Sequence, residues 1–237
     1  MIKFKFHLLL FIVIFTTNAI QSDVIQCEFE FINYFQLNKE FYMCKVSNIQ
    51  IFNHGAKISI ENAIGQNLEN KKNEQVEGTN FSNAPNLNLI PTNLERIFPN
   101  IILIFINNSN LTQITSDDFK PFPKLKAIYI LFNSIEFLCK DFFIHNRELE
   151  AISFWENKIR HIEPSTFKNL SSLRILDLRG NVCNFPDWVD DRNAVVNSIR
   201  KIEHGECLSE ICSINNLIAE TLARDRLMEQ LKKKINK

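Results

Sequence analysis

The chain has 237 residues and equal numbers of basic and acidic side chains, 27 of each. That balance argues against a general nucleic-acid binder, which needs excess positive charge to neutralise phosphates. Hydrophobic residues make up 45%, so a packed core is feasible and wholesale disorder is excluded, while only 5 glycines disfavour glycine-rich nucleotide-binding loops.

Lys3 and Lys5 precede an unbroken apolar run, Leu8 to Phe15, and Thr17, Asn18 and Ala19 follow it. This is the three-part layout of a secretory signal peptide cleaved after Ala19. The run is too short to cross a bilayer, which takes ~20 apolar residues. An uncleaved signal anchor is the alternative. Export puts the six cysteines in an oxidising compartment, where disulfides persist. Four N-x-S/T sequons, at Asn80, Asn107, Asn110 and Asn169, fit a secreted glycoprotein.

Cys27 and Cys44 bracket aromatic-rich, strand-like sequence, and their spacing suits a disulfide loop. Closing such a loop contributes roughly 3 kcal/mol in the chain-entropy model. Val46 to Phe52 and Lys57 to Ile64 read as two further strands, and Gln66 to Asn88 as a polar exposed loop.

A 24-residue repeat follows. Its first, fourth, sixth and ninth positions hold Leu173, Leu176, Leu178 and Asn181. One period earlier they hold Leu149, Ile152, Phe154 and Asn157, then Leu125, Ile128, Ile130 and Asn133, then Ile101, Ile104, Ile106 and Ser109. Positions 11 and 14 hold Leu111 and Ile114, Ile135 and Leu138, Ile159 and Ile162. Position 19 holds Phe119, Phe143 and Phe167; position 22 holds Phe122, Asn146 and Leu170. The period-two alternation at positions 4 and 6 is that of a short strand, not of a helical array. The Asn at position 9 can hydrogen-bond the backbone of neighbouring turns. One unit cannot bury its own apolar face, so stacking must supply the core. Leu87, Ile90 and Phe98 fit the second half of a preceding unit. In the same register Glu77, Asn80 and Ser82 fall on its strand positions, so its first half reads as degenerate. Beyond the last unit, Val189 to Ile202 reads as a helix with Val195, Ile199 and Ile202 on one face. Ser213 onward reads as an amphipathic helical tail ending in three lysines.

Ile101 to Cys183 resembles the extracellular leucine-rich repeat family. The resemblance implies an α/β repeat fold: a short right-handed leucine-rich-repeat solenoid with a parallel concave β-sheet and disulfide-stabilised caps. The Ile90-Pro91-Thr92-Asn93-Leu94 and Phe98-Pro99-Asn100 turns behind a Cys-bearing segment also resemble secreted insect leucine-rich-repeat proteins, in the style of mosquito leucine-rich-repeat immune factors. The chain then divides into a signal peptide (1–19), an N-terminal cap with irregular strands (20–76), repeats (77–182, clearest over 101–182), a C-terminal cap (183–212) and a helical tail (213–237). Cys27–Cys44 is expected to staple the first cap and Cys183–Cys207 the second. For Cys139 and Cys212, a mutual bridge, a buried free thiol at Cys139 and an intermolecular bond through Cys212 all stay open.

In such a solenoid the open strand positions form the concave face. Phe105, Tyr129, Leu131, Phe132 and Trp155 are expected to cluster there, with Glu156, Asp177 and Arg179 as a charged flank. An aromatic cluster with a charged rim has the composition of a protein-binding hot spot. Coverage by the chain's own N-terminal loop or C-terminal helix is the competing expectation. A glycan at Asn107 would crowd the patch; Asn110, on the turn, is better placed to carry one.

No nucleophile elbow, zinc-protease helix or phosphate-binding loop occurs, and His145, His161 and His204 lack companions that suggest a site. His161 and Glu163 fall on turn positions expected to be solvated. The chain therefore reads as non-enzymatic, with no cofactor, no metal and no nucleic-acid partner. The expected function is extracellular recognition of a protein or glycan, in innate defence as the resemblance implies. The alternative is a structural or assembly protein paired with another chain, as a homo- or hetero-dimer, through its C-terminal helix and Cys212.

Overall fold

The computed structural model describes residues 23–34, 37–51, 58–139, 141–163, 165–183 and 189–204. The signal peptide, Cys207, Cys212 and the tail at 213–237 lie outside them. The strands in chain order are β1 (Asp23–Tyr34), β2 (Lys39–Gln50), β3 (Ile60–Ile64), β4 (Gly78–Ser82), β5 (Leu103–Asn107), β6 (Ala127–Leu131), β7 (Phe137–Leu138), β8 (Ala151–Ser153), β9 (His161–Ile162), β10 (Ile175–Asp177) and β11 (Val189–Asp190). The described residues also hold the α-helices α1 (Leu94–Ile97), α2 (Ser116–Phe119) and α3 (Arg192–Glu203). Nine strands form one sheet in the order β11-β10-β8-β6-β5-β4-β2-β1-β3, and β7 and β9 form a small second sheet.

The 24-residue period becomes strand register. Ile104 pairs with Ile128, Ile128 with Ile152, and Ile152 with Leu176, all in parallel. Each crossover between these strands runs outward through the apolar positions that close the core. Residues at alternating positions enter the main core, including Ile106, Ile130, Phe154 and Leu178, all buried. Phe119, Phe143 and Phe167 stack along the outer side, with ring centroids 6.2 and 5.9 Å apart.

The position-9 asparagines form the expected ladder. The Asn133 Oδ1 accepts from the backbone N–H of Ser109 (3.1 Å) and Leu111 (3.0 Å), and its Nδ2 donates to the carbonyls of Ile106 and Leu131. Asn157 accepts from Ile135 and donates to Ile130 and Phe154. Asn181 accepts from Ile159 and donates to Phe154 and Leu178. A strand that ends inside a core leaves backbone groups without water. Each group left unmade costs about 1–3 kcal/mol, which explains why an amide recurs here. Ser109 takes the same place in the first clear unit, where its Oγ donates to the Phe81 and Asn107 carbonyls. Two further polar groups satisfy outer turns: Asn146 Nδ2 donates to the Phe119 and Phe122 carbonyls, and Arg192 Nη1 to those of Leu170 and Leu173.

The structure corrects the sequence reading in three places. The segment read as an exposed loop, 66–88, contains β4. Its strand pairs one residue away from the expected register, Thr79 with Ile104 and Phe81 with Ile106. Val76, Thr79 and Phe81 are the buried strand positions, not Glu77, Asn80 and Ser82. The unit is regular, but it carries one extra residue between its strand and Leu87, which hid it from a fixed 24-residue step. The N-terminal strands are also longer and earlier than expected. β1 and β2, of twelve residues each, make a hairpin that joins the repeat sheet directly, through the parallel pairing of β2 with β4.

His161 is the third correction. Pairing of β7 with β9 makes its turn part of a sheet, and His161 is 0% exposed, beside the Phe137 ring and 3.6 Å from Glu163. The cysteines narrow a choice that the sequence left open. Cys27 and Cys44 are bonded, with Cα atoms 5.1 Å apart. Cys139 is also disulfide-bonded, which removes the free-thiol option, and so is Cys183. Their partners lie outside the described residues.

α3 agrees with its sequence pattern. Asp191 caps it by accepting from the Ala194 N–H, and Val195 and Ile202 enter the main core while Ile199 packs against it.

Candidate concave-face binding site

The sheet has a second apolar face, turned away from the main core. Leu103, Ala127, Ala151 and Ile175, at successive steps of one strand position, are buried on it together with Tyr129, Phe41 and Met43. Ile32, Tyr34 and Leu37, around the tip of the β1–β2 hairpin, pack against this row. Gly78 permits that approach: a Cβ there would come within 2.4 Å of Met43 Sδ and 2.9 Å of the Leu103 carbonyl oxygen.

The expected aromatic cluster is therefore divided. Its first part is covered. Tyr34 stacks on Tyr129 at 5.7 Å and 13°, meets Phe41 edge-on at 5.8 Å, and lies 6.4 Å from Phe105. Phe105 and Tyr129 are 6.0 Å apart. Tyr129 is only 5% exposed and thus is not a surface residue. Burial pushes its phenol up to about 12, and burial likewise raises that of Tyr34, since the phenolate would lose water on ionising.

The second part is open. Phe132 is 46% exposed and meets Trp155 edge-to-face at 4.8 Å. The Arg179 guanidinium lies 5.6 Å from the Trp155 ring centroid. Asp177 holds that guanidinium with two contacts of 2.9 Å, to Nε and Nη2, and so fixes its plane. Asp177 is itself buried and Glu156 exposed beside the ladder. Leu131 is half-buried and packs against the covered cluster, bridging the two parts.

One repeated turn gives the open part a residue ill suited to its backbone. The eighth position of each unit is left-handed: Asn108 at φ 50°, Phe132 at 51°, Glu156 at 53° and Gly180 at 69°. Asn and Gly adopt this conformation readily, but a phenylalanine there is an outlier that costs on the order of 1–2 kcal/mol. The turn tolerates it because each N–H is used: Asn108 donates to Leu131, Phe132 to Trp155 and Glu156 to Arg179, at 2.9–3.0 Å. A Cβ at Gly180 would meet the flexible Glu156 carboxylate at 2.6 Å, so a larger residue there would displace that side chain.

The sequons differ in presentation. Asn80 and Asn107 are half-buried on strands, and the Asn107 Oδ1 is shielded, whereas Asn110 and Asn169 are exposed on turns. The covering residues Tyr34, Leu37 and Phe41 were missed from sequence. The signal was present in Phe41 to Cys44, four consecutive apolar residues, which is the mark of a strand buried on both faces.

Residues 123–182 match the family model described as leucine rich repeat. This segment is a leucine-rich-repeat stack. No curated protein matches the chain. A chain in the crystal structure of a TLR13–ssRNA13 complex is similar at 20% identity, over 52% of this chain and 18% of that one, with a TM-score of 0.42. A chain in the crystal structure of an LRIM1/APL1C complex is similar at 22% identity, over 46% of this chain and 20% of that one, with a TM-score of 0.40. The aligned part of this chain thus spans about a fifth of the length of either solved relative. Within the leucine-rich-repeat stack, position 8 carries the exposed ring of Phe132 and position 7 carries Trp155 and Arg179. No helix among the described residues is long and apolar enough to cross a membrane.

Proposed function

We propose that this chain is a secreted, non-catalytic recognition protein that binds an extracellular protein or glycan through the open part of its concave face. The observation that carries the reading is the Phe132–Trp155–Arg179 ladder. It combines an exposed aromatic edge, a ring faced by a cation, and a bulky residue at a left-handed turn position where other units carry Asn, Glu or Gly. Aromatic and arginine side chains held rigid before binding lose little entropy on capture, which is how small patches reach useful affinity. The disulfides fit an oxidising compartment, and innate defence is the setting implied by the resemblance to secreted insect relatives. Glycans at Asn110 and Asn169 would leave the ladder free.

The test is capture of partners from the fluid into which the protein is secreted. Phe132→Ala with Trp155→Ala should reduce capture by about 100-fold or more, the effect of losing a central hot spot, while secretion yield stays unchanged. Tyr129 is unsuitable for this test, because it lies beneath Tyr34. Capture that survives in the double variant sinks the concave-face reading. Removing the partner's glycans before capture separates protein from glycan recognition.

A further inference from the structure

The turn that ends each strand of the stack carries a row of polar side chains around one aromatic ring. In successive units its eighth position holds Asn83, Asn108, Phe132 and Glu156. Each donates its backbone N–H to the seventh residue of the next strand, at 2.8–3.0 Å. This ladder sets the four at steps of ~4.8 Å, so Asn108 and Glu156 flank Phe132. Asn108 Nδ2 donates to Asn83 Oδ1 at 2.8 Å. Both residues are exposed, and the Asn108 oxygen and the Asn83 amino group are left to face solvent. Glu156 is exposed as well and makes no ion pair with the described residues; its carboxylate extends over Gly180. The Arg179 charge beside Trp155 is neutralised within the protein by Asp177.

We infer that this row binds a neutral oligosaccharide, an inference that rests on the open part of the concave face being the recognition surface. A pyranose ring has an apolar C–H face and a rim of hydroxyls that both donate and accept. Phe132 supplies an apolar floor for the face. The Asn108 oxygen and the Glu156 carboxylate accept from hydroxyls, and the Asn83 amino group donates to one. Asn108 and Glu156 stand two strand steps apart, about 10 Å, a length that suits two linked sugar rings. Charge selects against acidic ligands. A phosphate or an acidic sugar would meet the unpaired Glu156, while Arg179 is already held by Asp177. A protein partner suits the row less well. Stable protein interfaces cover about 800 Å² on each side around an apolar, charge-poor centre. Among the described residues at positions 5, 7 and 8, Phe132 is the only large apolar side chain classed as exposed, at 46%, and an unpaired carboxylate stands next to it.

An array of neutral hexose and N-acetylhexosamine oligomers, with acidic glycans alongside, probed with the full secreted chain, tests this. At least one neutral oligomer should be retained, and raising the salt from ~0.1 to ~1 M should change its affinity by less than about twofold, since no ion pair is involved. Asn108→Gly keeps the left-handed turn and removes the amide; it should weaken retention about 10-fold, as should Glu156→Gly, each losing one hydrogen-bond partner. Both variants should unfold at the temperature of the unaltered protein. An array that retains no neutral glycan, retention of acidic glycans alone, or undiminished retention by both variants overturns the inference. The failure of the underlying reading looks different. If Phe132→Ala with Trp155→Ala still captures partners from the secreted fluid, the open face is not the recognition surface and both fall. If that variant loses capture while no neutral glycan is retained, the face recognises a ligand of another class and only the oligosaccharide assignment falls.

Discussion

The two parts of the concave face share one sheet and one repeat, yet one is covered by the chain itself and the other holds an exposed ring. Near β5 and β6 the hairpin tip lies on the sheet, and Tyr34, Phe41, Phe105 and Tyr129 form a satellite core. Near β8 and β10 nothing described covers Phe132 or Trp155, and a cation instead of another ring completes the stack. A solenoid must cover the apolar cross-section at its first unit. The hairpin does so by extending the sheet, and its tip goes further and occupies part of the face that a ligand would otherwise use. Aromatic composition alone therefore does not distinguish a binding surface from a covered one. The difference lies in whether another element of the chain reaches it.

Several experiments would break or sharpen that contrast. The largest effect belongs to the open side: loss of both Phe132 and Trp155 should remove about 3 kcal/mol or more of binding free energy with little change in folding stability. Tyr34→Ala should do the opposite. Uncovering Tyr129 and the alanine row should lower unfolding stability by about 2 kcal/mol, read by denaturant titration, with partner affinity unchanged. A loss of affinity as large as that of the open-side variant would erase the distinction between the two parts. Arg179→Ala should weaken binding by about 1 kcal/mol through the lost cation–ring contact, measured by calorimetry with a captured partner.

Phe132→Gly gives a smaller and more diagnostic effect. Relief of the left-handed strain should leave stability equal or raise it by up to about 1 kcal/mol, while binding falls. A clear loss of stability would mean that the ring is kept for packing. The covered side also has a pH signature. The folded-state phenol values of Tyr34 and Tyr129 lie above the ordinary value, so the neutral form is favoured on folding. Their contribution is complete below about pH 10 and is lost as pH rises through the folded values, with Tyr129 near 12. Phenolate absorbance should rise only above the ordinary tyrosine range, together with release of the hairpin tip. Ionisation at pH 10 without structural change would show that the tip does not cover the face.

Much of the fold was legible because solenoid physics is local and repeated. Residues 24 apart became partners in β5, β6, β8 and β10, and the Asn133, Asn157 and Asn181 ladder followed from one amide at one position. The unit at β4 escaped that logic through one inserted residue, which shifts every strand position while leaving the second half in register. His161 escaped it because the pairing of β7 with β9 turns a solvated corner into a packed one.

From the sequence alone come the period, the inward-facing residues of the clear units, the Cys27–Cys44 staple and the list of side chains that could face outward from the sheet. Each depends on residues close in the chain or at a fixed spacing. Which of those outward side chains remain open depends on where the β1–β2 hairpin lies. That is settled by contacts such as Tyr34 on Tyr129, between residues far apart and in no repeat relation. Only the tertiary structure brings them together, and it covers Tyr129 while leaving Phe132 exposed beside Trp155 and Arg179.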